Sequence, residues 1–411
     1  MPLAQEERTM SEEQLPGTGS EKSGITRRQF VQRGAIGAVG LASIGSVPAL
    51  LAACGSSSSS SSSSASPTTL ATALPSGGLS ALETAAKAEG KLNVIALPPN
   101  WANYGKIMST FGSTYGITVN SANPNGTSAQ ENQAIITLKG QSRAPDVVDD
   151  GPSFAASGKS QGLFTPYFVA NWDTIPDSMK DPAGDWYGDY YGVISFGTNL
   201  NVQKNPPKDW SDLLNPRYRG QVAIDGDPRS ANDAFAAVFA ASLAHGGSLD
   251  DIEPGINFFA KLKKAGNYIP ADALPANIAK GSTPIAIIWD YLNLANKKQF
   301  AGSPPYTVSI PATGVFGGYY CQAISATAPD PNAARLWQEF IYSDQGQLLY
   351  LEGYTHPARF ADMAKRGVIP ASVMAAMPPA AAYANIQFAS QAQLTAATTV
   401  LTAQWGPKVA G

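Results

Sequence analysis

Nine consecutive serines, Ser56–Ser64, divide this chain into two parts that cannot share a core. Together with Ala65-Ser66-Pro67-Thr68-Thr69 they offer nothing apolar to bury, and such a tract behaves as a flexible tether. A packed fold must therefore come from the residues on the C-terminal side of the tract, and structure is expected to begin near Leu79. About 330 residues remain beyond that point, room for two domains by the usual prior.

The segment ahead of the tract reads as an export signal. Arg27-Arg28 precede a weakly apolar stretch, Gly34–Ala53, that is interrupted by Ser43, Ser46 and Pro48. A charged region, a short apolar region and a small-residue cleavage site make a leader that is removed. The paired arginines resemble the twin-arginine signal. Leu51-Ala52-Ala53-Cys54-Gly55 resembles the bacterial lipobox, in which the cysteine sulfur takes the lipid. Residues 1–53 are therefore expected to be a twin-arginine lipoprotein signal peptide, and residues 54–78 a Ser-rich disordered linker. The mature protein would sit at the outer face of the cytoplasmic membrane, held by a lipid on Cys54.

Charge narrows the partners. The leader carries five basic and five acidic residues, so the remainder keeps the net charge of −3. A nucleic-acid binder needs a basic footprint, and none is present. With Cys54 acylated, Cys321 has no cysteine to pair with, and its expected role is buried packing.

From Leu79 the apolar spacing alternates between two periods. Leu79–Glu89 is helical and stops at Gly90, Lys91–Leu97 is a strand, and Pro98–Tyr104 is a loop before a helix ending near Tyr115. Ile117–Asn120 is a second strand, a turn at 123–128 caps a helix through Leu138, and Asp146–Val148 is a third strand. Such alternation points to parallel α/β layers, with ligands outside the carboxyl ends of the strands. The loops at 98–104, 123–128 and 149–154 lie at those ends.

Several ordered segments resemble one family. They are Ala144-Pro145-Asp146-Val147-Val148, Gly151-Pro152-Ser153-Phe154, Gln161-Gly162-Leu163-Phe164, Asp185–Gly188, Pro207–Gly220, Asp227-Pro228-Arg229-Ser230 and Pro331–Gln347. In this order they are similar to the polyamine, ferric-iron and phosphonate group of type II solute-binding proteins of ABC importers. The resemblance implies a two-lobed α/β fold with a ligand cleft between the lobes. Lobe one would be residues 79–195 and 322–411, and lobe two 196–321. Crossing segments near Gly192–Val202 and Ser309–Ser325 would close the lobes on a ligand. It also implies a monomer that hands its solute to a membrane permease and an ATPase subunit. ATP hydrolysis belongs to that other subunit, because no G-x-x-x-x-G-K-[ST] run occurs here.

Trp289-Asp290-Tyr291, after an apolar strand, resembles the aromatic–acid site of the polyamine binders. A carboxylate flanked by rings suits an ammonium group through charge and cation–π attraction. Trp101, Tyr104, Asp150, Ser153 and Phe154 are candidates for the opposing wall. The bland reading of Trp289 and Tyr291 is core packing. Arg229 and Ser230, ahead of a helix, leave open an anionic solute such as a phosphonate or carboxylate. Ser230 or Asn232 is equally suited to a plain cap. Tyr190-Tyr191 and Tyr319-Tyr320 leave open a ferric solute, although only one tyrosine follows the strand where the family carries its pair. No cofactor is expected. A secreted hydrolase would use Ser160 in Gly158-Lys159-Ser160-Gln161-Gly162, but a nucleophile elbow needs a strand directly before it and a histidine partner. Only His245 and His356 exist. The expected activity is reversible binding without catalysis.

Overall fold

The computed structural model describes residues 73–383 and 385–410. The leader, Cys54 and most of the serine-rich linker lie outside the described residues. In chain order the elements are α1 (Gly78–Glu89), β1 (Lys91–Ile95), α2 (Tyr104–Tyr115), β2 (Thr118–Ala122), α3 (Ser128–Thr137), β3 (Val147–Asp150), α4 (Pro152–Ser160), β4 (Phe164–Thr165) and β5 (Tyr187–Asn199). Then come β6 (Val222–Ile224), α5 (Asn232–Ala244), α6 (Glu253–Lys264), α7 (Pro275–Lys280), β7 (Ile285–Trp289), α8 (Asp290–Phe300), β8 (Tyr306–Ser309) and β9 (Phe316–Ser325). The chain closes with α9 (Pro331–Ile341), α10 (Asp344–Glu352), β10 (His356–Pro357), α11 (Phe360–Arg366), α12 (Ala371–Met374), β11 (Gln387–Phe388) and α13 (Gln391–Trp405).

Local chemistry sets several of these boundaries. Gly90 and Gly116 end α1 and α2 with φ of 76° and 68°, a left-handed conformation that costs glycine little. Gln130 Oε1 accepts the Thr127 N–H at 3.0 Å and starts α3. The Glu89 carboxylate, at the end of α1, accepts the N–H groups of Asn332 and Ala333 and so caps α9 across the fold. α9 buries Leu336, Trp337, Phe340 and Ile341, whose spacing makes one apolar stripe.

The parallel layering holds only in part. β1 and β2 pair in parallel, as do β6 and β7, but β3 pairs antiparallel with β9. β3, β9, β5 and β7 belong to one mixed nine-stranded sheet. The long strand β5 joins its two halves. Tyr187–Val193 pair with β9, and Ile194–Thr198 pair with β7. At this change of partners the Val193 N–H donates to the Asp290 carboxylate at 3.0 Å. α5 is buried on all sides and reads Ala-Phe-Ala-Ala-Val-Phe-Ala-Ala, which lets neighbouring backbones approach closely. The C-terminal α13 packs against α4 and α6. Cys321 lies fully buried in β9, and burial pushes its thiol pKa up. Among the described residues, no helix is long and apolar enough to cross a membrane.

Candidate functional site

A cleft of about 160 Å³ opens where the loops after several strands meet. The segments after β1 and β2 give it Ala96, Pro98, Asn100, Trp101 and Pro124–Ser128. Glu131 of α3 and Asp149 of β3 complete that wall. Facing them are Asp225 and Gly226 after β6, Ala231–Asp233 at the start of α5, and Asp272–Pro275 leading into α7. Ile288 of β7, Leu292 and Asn296 of α8, and Tyr320 of β9 lie at the back. An engineered apolar cavity of roughly 150 Å³ holds benzene, so the room here suits a solute of that order of size.

The chemistry of the lining is one-sided. Among the described residues, five carboxylates, Glu131, Asp149, Asp225, Asp233 and Asp272, face the cleft, and no Lys, Arg or His does. Glu131, Asp149 and Asp233 are buried. Glu131 Oε2 accepts the Asp149 N–H at 2.8 Å. One oxygen each of Asp149 and Asp233 is buried without a hydrogen-bond partner among the described residues. Burial first, and neighbouring carboxylates second, raise the pKa of Glu131, Asp149 and Asp233 well above the usual range. Asp225 is pushed up to about 7 by burial and by Asp272. The N-terminus of α5 partly offsets the charge of Asp233, whose Oδ1 accepts the Ala234 N–H at 2.7 Å.

Behind the first wall runs a polar relay. The Trp101 indole N–H donates to Tyr190 Oη at 2.8 Å, and the Tyr190 hydroxyl donates to Asp149 at 3.2 Å. The Tyr104 hydroxyl lies 2.7 Å from Asp149 and 3.1 Å from Asp189. Tyr350 and Gln322 also donate to Asp189, whose pKa burial raises to about 6. Trp101 stands edge-on to Tyr320, with ring centroids 5.6 Å apart.

Of the residues expected at the site, the structure places Trp101 on the cleft lining and the others off it. Tyr104 supports Asp149 from behind. Asp150 is fully buried, because adjacent strand residues face opposite ways and Asp149 takes the cleft side. Ser153 and Phe154 lie in the first turn of α4, outside the lining. Asp290 corrects the aromatic–acid reading. Alternation along β7 sends Ile288 into the cleft and Trp289 away from it, against Gly318. Asp290 then turns its carboxylate to the Val193 N–H and to the Tyr383 hydroxyl, 2.5 Å away. Burial raises its pKa to about 6. Tyr291 is buried under Trp101 with centroids 6.1 Å apart. Arg229 is exposed and bound to Asp227 through both its Nε and Nη2, which lowers the Asp227 pKa. Ser230 donates to the Asp227 carbonyl, and Ala231 is the residue before α5, so neither Ser230 nor Asn232 caps it.

Ser160 ends α4 instead of following a strand, and its hydroxyl donates to the Ser157 carbonyl at 2.8 Å. His245 Nδ1 contacts the Ala241 carbonyl at the end of α5. His356 is stacked on Tyr191 in β10, and burial depresses its pKa to about 4. The elbow geometry is therefore not formed. Among the described residues, no three His, Cys, Asp or Glu side chains stand together as a metal site.

The lining also holds Glu131, Asp149, Asp225, Asp233 and Asp272, which the sequence did not single out, and Tyr320, which it raised only for a ferric solute. The signal available for Asp225 was its place directly after a strand. For Asp233 it was the helix start at 227–232.

Comparison with known proteins places the chain in its family. A family model described as bacterial extracellular solute-binding protein matches residues 142–381. An uncharacterized protein of Haemophilus influenzae is 28% identical over 208 residues, which are 47% of this chain. The match spans 57% of the length of that curated relative. Among solved structures, the periplasmic binding protein AfuA of Actinobacillus pleuropneumoniae, with fructose-6-phosphate bound, aligns with a TM-score of 0.63. Its sequence is 19% identical, and the alignment covers 78% of this chain and 99% of AfuA. Iron-bound HitA of Pseudomonas aeruginosa gives a TM-score of 0.57 at 20% identity, over 76% of this chain and 98% of HitA. AgtB of A. tumefaciens R10, in complex with agropinic acid, gives 0.62 at 13% identity, over 78% of this chain and 99% of AgtB. The fold is thus the two-lobed α/β type II architecture of periplasmic binding proteins, and the chain belongs to the bacterial extracellular solute-binding protein family.

Proposed function

We propose that this protein is the solute-capturing component of an ABC import system and that its solute is a small organic cation of the polyamine kind. The observation that carries the reading is the lining of the cleft, where five carboxylates meet no basic side chain among the described residues. A buried carboxylate that ionises needs a paired charge, and no described residue of the lining supplies one, which supports a cationic solute. Trp101 and Tyr320 add ring faces beside the acids, a surface suited to ammonium groups and methylenes. Arg229, the residue that favoured an anion, is satisfied by Asp227 away from the cleft.

Lobe one is assigned to residues 79–195 and 322–411, and lobe two to 196–321. The change of partners along β5 at Val193–Ile194 supports this division. Binding is reversible, and the closed form is the one a permease and its ATPase would engage. The chain would act as a monomer, exported and tethered through a lipid on Cys54.

Thermal-shift measurement with putrescine, agmatine, fructose-6-phosphate and ferric citrate tests the ligand class. A bound solute at about a hundred times its Kd adds roughly 2.7 kcal/mol of apparent stability. The amines are expected to raise Tm. A shift with fructose-6-phosphate and none with the amines would overturn the cationic reading.

A further inference from the structure

The carboxylates of the cleft have no counter-charge among the described residues, and that bears on what occupies them before solute arrives. Asp225, Asp233 and Asp272 come from three different segments; Asp272 raises the proton affinity of Asp225, and both raise that of Asp233. On the facing wall Glu131 raises the proton affinity of Asp149, and Asp150 raises that of Glu131. The remaining groups around them supply no cation. Tyr291 of α8 and Tyr320 of β9 lie within the field of both Asp233 and Asp149. Tyr268 feels Asp272, and Asn232 and Asn296 are neutral. Asp150 and Asp189, behind the first wall, add further negative charge. Arg229, four residues before Asp233, is committed to Asp227. The positive end of α5 reaches Asp233 alone. Several like charges in one small enclosed volume cannot all ionise. The unpartnered oxygens of Asp149 and Asp233 are where a hydroxyl proton fits without disturbing a hydrogen bond already made.

We propose that the ligand-free cleft stores protons on the carboxylates of its two walls, Glu131 and Asp149 on one and Asp225 and Asp233 on the other, and that an incoming organic cation expels them to solvent, so that solute capture is a cation-for-proton exchange. The exchange rests on the cationic reading of the site. No bond to the solute forms; each proton leaves for bulk water, and the carboxylate left behind pairs with the ammonium group. Raised carboxyl pKa values, with Asp225 at about 7, put the exchange in the neutral range. Affinity should therefore climb with pH, by up to about tenfold per pH unit for each proton released.

The test is calorimetry of the full mature protein with putrescine in buffers of different ionisation enthalpy, between about pH 6 and pH 8. The expected result is net release of about one proton or more per putrescine bound, falling in Asp233→Asn and in Asp225→Asn. Infrared spectra of the ligand-free protein give a readout that needs no solute. A protonated-carboxyl band at neutral pH is expected, diminished in the same two variants. Putrescine binding with no proton exchange at any of these pH values overturns the exchange and leaves the cationic reading standing. Failure of putrescine to bind at all overturns both.

Discussion

Two clusters of carboxylates in this molecule have opposite electrostatics. At the junction of α10 and α11, Asp344 and Asp362 are held by Arg359 and Arg366. Arg366 Nη2 lies 2.7 Å from Asp344 and 2.8 Å from Asp362, and Arg359 Nη2 lies 2.9 Å from Asp362. Arginine hydrogen bonds depress both carboxyl pKa values. In the cleft, Glu131, Asp149, Asp225, Asp233 and Asp272 face one another with no arginine or lysine among the described lining residues, and burial raises the pKa of the first four. The first region is complete within the chain and serves the fold. The second has no such partner among the described residues, and the proposed cationic solute is what would complete it.

The sharpest way to break this contrast is to neutralise one acid on each side. Asp233→Asn is expected to weaken putrescine binding by on the order of tenfold to several thousandfold, since losing one member of a desolvated pair costs about 2–5 kcal/mol. Asp344→Asn should leave affinity within a factor of about two, in line with the small effects of surface changes. Equal losses in the two variants, measured by calorimetry, would erase the distinction.

Stability should show the reverse order. Arg359 is 2% exposed and also donates to Thr174 Oγ1 and the Tyr342 carbonyl. Arg359→Ala is expected to cost about 2–4 kcal/mol in urea unfolding, because it strands buried acceptors as well as a carboxylate. Asp290→Ala is expected to fall in the same assay by about 1–3 kcal/mol, through the unpaired Val193 N–H and Tyr383 hydroxyl, while putrescine affinity changes little. A large affinity loss in Asp290→Ala would return that residue to the site.

The pH dependence of the two regions has opposite sign. In the cleft Asp225 is raised to about 7, and outside it Asp290 is raised to about 6, so the stability each contributes is present below its unfolded pKa and is lost as pH rises through those values. Asp344 and Asp362 are depressed, so their contribution is present above the unfolded pKa and is lost as pH falls. Ligand-free protein should therefore lose stability between about pH 4 and pH 7, by up to about 1.4 kcal/mol per raised group and pH unit. Asp225→Asn should flatten that slope in a pH series of Tm values. Among the cleft residues tested, the smallest loss of affinity is expected at Trp101. Trp101→Ala removes a cation–π contact of about 0.5–2 kcal/mol, or up to about thirtyfold in Kd. No change in affinity would show that the acids act alone.

How much the sequence disclosed depends on how far each signal reaches. α1, β1, α2 and α3 were legible because period, cap and stop signals lie within a dozen residues. The antiparallel pairing of β3 with β9 was not, since a strand's own residues do not name a partner so distant in the chain. The place of Trp101 on the cleft lining was legible because a loop at the carboxyl end of β1 has a predictable position. Asp149 was missed for Asp150 by a single step of strand alternation, and the same alternation hid Trp289 and Asp290 from the cleft. Asp233 resembles any acid in the first turn of a helix. Asp225 and Asp272 acquire meaning only when β6 and the segment before α7 meet in space.

The change of partners along β5 has one more implication. Ordinary rungs of a sheet join two backbones, and altering the angle between the strands strains or breaks them. At Val193 the acceptor is the Asp290 side chain, which turns about its own single bonds. Any closure of the proposed lobes would meet a side-chain acceptor at this rung in place of a second backbone, at the point where the hydrogen-bonding ladder passes from β9 to β7.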